Sequence, residues 1–266
     1  MQNTQGEKKV NIMSEKAVLS ELESALASRF GPAIRFREKP EPELISTGMP
    51  AVDSIIGGIP RGTITEIFGS RSSGRTTLAL SILAEATARL EICALVDCTD
   101  TFDPASASAA GVDLTRLLWI RCAGNIEHGF KATEFLLQGG GFGIVILDLG
   151  DVSPRHARRI PSPFWFRFHH SIEATPASLV VIDQEPQAQS CAALTLKIKS
   201  GNPEWKGSGA ANLLHGIRFQ VERTRPVLGP AGIKNNAVWL RVVMSSWFAC
   251  LPVSMGLNGP APDAHY

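Results

Sequence analysis

Apolar residues fall into short runs along the middle of the chain, at Ile64–Phe68, Cys93–Val96, Leu118–Ile120 and Ile144–Leu147. Runs of this length predict strands buried on both faces, as in a parallel sheet. Between them, Thr76–Leu90 and Ile126–Gln138 carry the three-to-four-residue recurrence of helices. Strands alternating with helices predict βαβ units. A further run, Leu179–Ile182, follows an aromatic, proline-broken segment. Beyond it Leu194–Ile198, Ile217–Val221 and Val238–Val243 alternate apolar with polar residues, the pattern of antiparallel edge strands. The expected fold is α/β: a mainly parallel twisted sheet flanked by helices, with antiparallel edge strands at its C-terminal end.

The ends read differently. Residues 1–13 show no periodicity and predict a disordered N-terminus. From Ser14, a candidate N-cap, Ala17, Val18, Leu22, Leu26 and Phe30 form a helical stripe that Gly31-Pro32 stops. A Pro/Glu-rich linker, Arg37 to Glu43, closes this 14–43 segment. The core is expected over 44–250, and the Pro/Gly-rich residues 251–266 as a loose tail.

At 266 residues, 44% hydrophobic and 19% charged, the chain can build one large domain with a sizeable core. Its net charge of +1 gives no global attraction to nucleic acid or membrane, so any such contact must use a local patch. Five scattered cysteines without C-x-x-C or metal-ligand spacing predict reduced core thiols. The polar N-terminus argues against a secretory signal, and no run approaches the ~20 apolar residues of a membrane span. The expected location is cytoplasmic, with no membrane partner.

The chemistry concentrates in Gly69-Ser70-Arg71-Ser72-Ser73-Gly74-Arg75-Thr76-Thr77. A P-loop needs two glycines five apart, then Lys, then Ser or Thr. Gly69, Gly74 and Thr76 stand in place, and Arg75 occupies the lysine position. The glycines let backbone N–H groups close on phosphate oxygens. A preceding strand and a following helix aim a helix N-terminus at the anion.

Taken in order, further segments resemble the RecA recombinase family. They are Ile45-Ser46-Thr47-Gly48, Asp53, Gly57-Gly58-Ile59-Pro60-Arg61-Gly62, Glu66-Ile67-Phe68-Gly69, Val96-Asp97, Asp103-Pro104, Gly111-Val112-Asp113-Leu114 and Gly201-Asn202-Pro203-Glu204. The likeness runs from about residue 14 to about 245, without a counterpart of the family's small C-terminal domain. It implies a RecA-type P-loop core, ATP as ligand with Asp103 among its contacts, and Mg²⁺ held by Thr76 and Asp148. It also implies single-stranded DNA as partner, self-association through the N-terminal helix, and Gln184 as the sensor of the terminal phosphate. By the same alignment Thr99 stands where the family has its water-orienting glutamate, and a hydroxyl lacks the basicity for that role. Two lysines that the family sends across a subunit interface align with Met244 and Ser246, or alternatively with Arg223 and Arg225.

Two stretches are candidate DNA surfaces. Arg155, Arg158 and Arg159 precede Phe164-Trp165-Phe166-Arg167-Phe168, where arginines suit phosphates and the aromatics either stack on bases or pack in the core. Lys197, Lys199, Trp205 and Lys206 surround the segment that resembles the family's second DNA loop. The His169-His170 pair has no third ligand at a sensible spacing, which argues against zinc. The implied function is a repair or recombination protein that binds ATP and single-stranded DNA with a degenerate ATPase site. The alternative is a non-catalytic adaptor of the ImuA mutasome type, which resembles RecA, serves damage-induced translesion synthesis in the SOS response, and has a DNA polymerase or RecA itself as partner. A P-loop small-molecule kinase is the third class, without a recognisable lid or acceptor pocket.

Overall fold

The computed structural model describes residues 42–157, 159–173, 175–207, 213–226, 236–243 and 246–252. The expected N-terminal disorder and helix, Arg158, Met244 and the chain beyond 252 lie outside them. The core opens with a small antiparallel pair, β1 (Leu44–Ile45) and β2 (Ile59–Pro60), around helix α1 (Pro50–Ile56). Ser46 and Thr47 donate to the Asp53 carboxylate, which fixes the turn into α1. The Ser-Thr-Gly…Asp likeness is therefore a structural device.

Strands β3 (Ile64–Gly69), β4 (Cys93–Asp97), β5 (Leu117–Arg121), β6 (Ile144–Asp148), β7 (Ser178–Asp183) and β8 (Ala192–Lys206) are mutually parallel where they pair. Strands β9 (Leu213–Arg225), β10 (Ala237–Val243) and β11 (Ser246–Pro252) continue the sheet antiparallel. Among the described residues the nine-stranded order is β11-β10-β9-β8-β3-β7-β6-β4-β5. Helices α2 (Arg75–Ala88), α3 (Pro104–Ala109), α4 (Ile126–Gly139), α5 (Pro154–Ala157) and α6 (Ser162–Glu173) fill the connections. Each face carries its own core: Leu78, Ile82 and Leu83 of α2 pack on one, Phe130 of α4 and Phe168 of α6 on the other.

Three expectations need correction. The run Leu118–Ile120 is not a strand buried on both faces; β5 is the sheet's outer edge, with Leu118 exposed. Leu194–Ile198 is not an edge strand, because β8 lies between β3 and β9. Nor does the chain leave the sheet at Gly201-Asn202-Pro203-Glu204. β8 runs on to Lys206, paired with β9, and a register shift between Ser200 and Pro203 accommodates the proline, which has no N–H to donate. At the other end, β11 reaches Pro252, two residues into the expected tail.

Candidate nucleotide-binding site

The loop between β3 and α2 owes its shape to what lies against it. A Cβ on Gly69 would come 2.3 Å from the Ile198 carbonyl oxygen of β8. Gly74 has φ of 103°, and a Cβ there would touch the Phe219 ring of β9 at 3.1 Å. Gly74 is also the N-cap of α2 and supplies no side-chain acceptor to the helix's first N–H groups. Those orphan donors, with the helix dipole behind them, fit a phosphate. Ser73 is buried within the loop, and its hydroxyl lacks a partner.

A cavity of about 340 Å³ opens beside the loop, walled by Thr76, Thr77, Asp103, Asp148 and Asp151, with Leu80 and Phe102 on its apolar side. A second, of about 250 Å³, lies between Ser72–Thr77 and Ile217, Phe219 and Val242. In the first, the Thr76 hydroxyl and the Asp148 carboxylate offer the oxygen donors that a hard divalent cation requires, so the residues present fit Mg²⁺. Asp148 accepts from the Gly150 N–H at 2.8 Å. Burial pushes its carboxyl up to about 6, and the nearby Arg75 cation opposes that rise.

Arg75 does not reach over the loop. It is buried, and Nη1 donates to the Gly150 carbonyl at 3.1 Å. Desolvation pulls its pKa down, while Asp148, Asp151 and Asp183 favour the charged form. Gln184 Nε2 donates to the same Gly150 oxygen, at 3.1 Å, and to Val152 O at 3.0 Å. The loop cation and the candidate phosphate sensor thus share one acceptor. Asp183 beside it is fully buried; Oδ1 accepts from Gln184 N, Oδ2 has no partner, and burial raises the carboxyl to about 7. Glu66 on β3, also buried, accepts from the N–H groups of Gln187 and Ala188 and is shifted up by the same cause.

The turn after β4 is organised by Asp97, which accepts from the N–H groups of Thr99, Thr101 and Phe102 and from the Trp119 indole. Thr99 Oγ1 lies 3.2 Å from Thr101 Oγ1. Asp100 accepts from Arg121 Nε and Nη2, each at 2.8 Å, and that pairing holds its carboxyl below the usual range. Asp103 accepts from Ala105 N, Ser106 N and Ser106 Oγ as the N-cap of α3. It lines the cavity while serving as a cap.

The candidate DNA residues separate into two groups. Arg155 and Arg159 are exposed near α5. Of the aromatics, Trp165 and Phe168 pack against Phe130, whereas Phe166 is 59% exposed. Lys197, Lys199, Trp205 and Lys206 all lie on β8. Trp205 is 59% exposed, and Lys199 pairs with Glu222 at 2.6 Å. Of the alternative interface cations, Arg223 is buried and donates to Ile55 O, and Arg225 donates to Gln189 O. Among the described residues there is no cluster of metal-ligating side chains of three or more, and no helix is long and apolar enough to cross a membrane.

Sequence reasoning passed over Asp151 and named Glu66 only as part of a segment of family likeness. Asp151 carried a legible signal, standing three residues after the acid at the end of β6.

A glycine loop joining the sheet's central strand to a helix defines a P-loop nucleotide-binding fold. Residues 18–157 match the RecA N-terminal domain, and the chain belongs to the RecA family. It is 29% identical over 254 residues to protein RecA of Aquifex aeolicus, covering 88% of this chain and 71% of that one. With protein RecA of Allorhizobium ampelinum the identity is 30% over 246 residues, 86% of this chain and 66% of the relative. Protein RecA of Rickettsia canadensis gives 29% over 262 residues, 91% and 72%.

Proposed function

We propose that this chain is a RecA-like protein of DNA recombination and repair that binds ATP at Gly69–Thr77 and single-stranded DNA along the β8–β9 arm, and that turns ATP over slowly. The observation that carries the nucleotide half is the α2 N-terminus without a side-chain cap, opening beside a cavity walled by Thr76 and Asp148. Thr76 and Asp148 would hold Mg²⁺, which when bound neutralises phosphate charge. Arg75 must exchange the Gly150 carbonyl for a phosphate oxygen on binding, which costs affinity. A fluorescent ATP analogue is expected to bind weakly, and Arg75→Lys to bind more tightly, because a lysine lacks the planar fork that reaches Gly150. No binding at millimolar analogue would sink the proposal.

For DNA, the support is the exposed Trp205 beside Lys206 on a strand that also carries Lys197 and Lys199. Lys199 can exchange Glu222 for a phosphate, since exposed ion pairs contribute about 0–1 kcal/mol. Single-strand affinity is expected to fall steeply with salt, each removed cation flattening the slope by roughly 0.7. Trp205→Ala should weaken binding by about 1–3 kcal/mol at unchanged slope. Unchanged affinity and unquenched Trp205 emission would remove the arm from the site.

The second reading, an ImuA-like adaptor in damage-induced synthesis with a polymerase or RecA partner, is favoured by the turn after β4. There Thr99 replaces the carboxylate and Asp100 is held by Arg121. It requires no turnover of nucleotide, so single-turnover hydrolysis separates the two.

A further inference from the structure

We propose that Asp151 is the carboxylate that orients water against the terminal phosphate of a bound nucleoside triphosphate, and that Arg71 positions it. The inference rests on the nucleotide site proposed above. Three carboxylates wall the cavity beside Thr76 and Thr77: Asp103, Asp148 and Asp151. Asp103 gives its oxygens to Ala105 and Ser106 as a helix cap. Asp148 accepts from Gly150 N and lies beside Arg75; a Cβ on Gly150 would sit 2.9 Å from Asp148 Oδ1 and 3.2 Å from Arg75 Nη1. On the neighbouring strand and its following turn, both Asp97 oxygens accept N–H groups, and Asp100 is turned onto Arg121.

Asp151 is also paired with an arginine, but among the described residues through one oxygen rather than both. Its side chain is 42% exposed, reaches the cavity, and meets Arg71 Nε at 3.2 Å, while Arg71 Nη2 donates to the Asp151 carbonyl at 3.4 Å. Arg71 belongs to the phosphate loop, so this pair ties the turn after β6 to the loop itself. A solvated carboxylate beside the phosphate site can accept a proton from water, which the Thr99 hydroxyl cannot. In the step, a water oxygen bonds to the terminal phosphorus as the bond from that phosphorus to the bridging oxygen breaks. The nucleoside diphosphate keeps the bridging oxygen and its electron pair, and Asp151 takes the water's proton.

The test is single-turnover cleavage of terminally labelled ATP by the full chain, with binding of the fluorescent analogue measured in parallel. Asp151→Asn is expected to slow cleavage on the order of 10²-fold with affinity unchanged. Asp151→Glu should recover part of the rate, and Thr99→Glu should restore cleavage in the Asp151→Asn background. Equal cleavage by parent and Asp151→Asn would overturn the proposal, as would parent that binds the analogue without cleaving ATP. Loss of binding in Asp151→Asn would overturn it too, by marking Asp151 as a ligand of the phosphates or their cation. Absent binding by the parent removes the nucleotide reading as well, so the binding arm tells the two failures apart.

Discussion

Gly69→Ala should destabilise the fold by about 3 kcal/mol or more and eliminate binding of the ATP analogue. The new Cβ would lie 2.3 Å from Ile198 O and 2.8 Å from Ser73 Oγ. The first of these is backbone within a paired strand, so relief requires β3 and β8 to separate. For a domain of this size each kcal/mol lowers Tm by roughly 2–4 °C. Thermal melts followed by circular dichroism give the comparison with Gly139→Ala, whose Cβ meets nothing within 4 Å. That control should melt with the parent. A Gly69→Ala protein that melts with it as well would mean the two strands part at little cost.

The second large effect is pH-dependent. Asp183, Asp148 and Glu66 all have carboxyls raised by burial, the first two to about 7 and about 6. The folded state therefore keeps protons at pH values where the unfolded chain, with carboxylates near ~4, has lost them. Their contribution to stability is complete below about pH 4 and is lost as pH rises through 6 and 7. Asp100, Asp103, Asp113 and Glu204, whose carboxyls are lowered by hydrogen bonds, act in the opposite sense at more acid pH. Denaturant melts should show stability declining between about pH 5 and pH 8. Asp183→Asn should flatten that decline and exceed the parent at pH 8 by on the order of 2–4 kcal/mol, since a neutral amide keeps the acceptor for Gln184 N. A parent whose stability is flat across that window would show that Asp183 ionises without penalty.

The strand–loop–helix arrangement and the parallel half of the sheet were legible because both are local. Ile64–Phe68, the two glycines and the Thr76–Leu90 recurrence each carry their own signal within a short window. Partner choice is not local. Leu194–Ile198 alternates as an edge strand would, yet its second neighbour, β3, comes from a distant part of the chain. The extension of β8 through Pro203 depends on pairing with Ile217 of β9, which turn-forming residues conceal. In the site, the P-loop spacing named Arg75 and the family likeness Asp148 and Gln184, but that Arg75 and Gln184 share Gly150 O follows from packing alone. The Asp100–Arg121 pair joins the turn after β4 to the end of β5, residues that only the folded sheet brings together, so nothing in the local sequence signals that Asp100 is occupied.

The contacts that force glycine at both ends of the phosphate loop have a mechanical meaning. Gly69 lies beneath Ile198 of β8 and Gly74 against Phe219 of β9, the two strands of a single arm. At ~3.3 Å per residue, Trp205 stands roughly 20 Å farther along β8 from that contact. A loop that widens around an anion has no slack to yield into, because its ceiling is the root of the arm. Small displacements there would pass along the paired strands as far as the register shifts at Ser200–Pro203 and Glu204–Trp205, two joints at which the arm can bend between its root and Trp205.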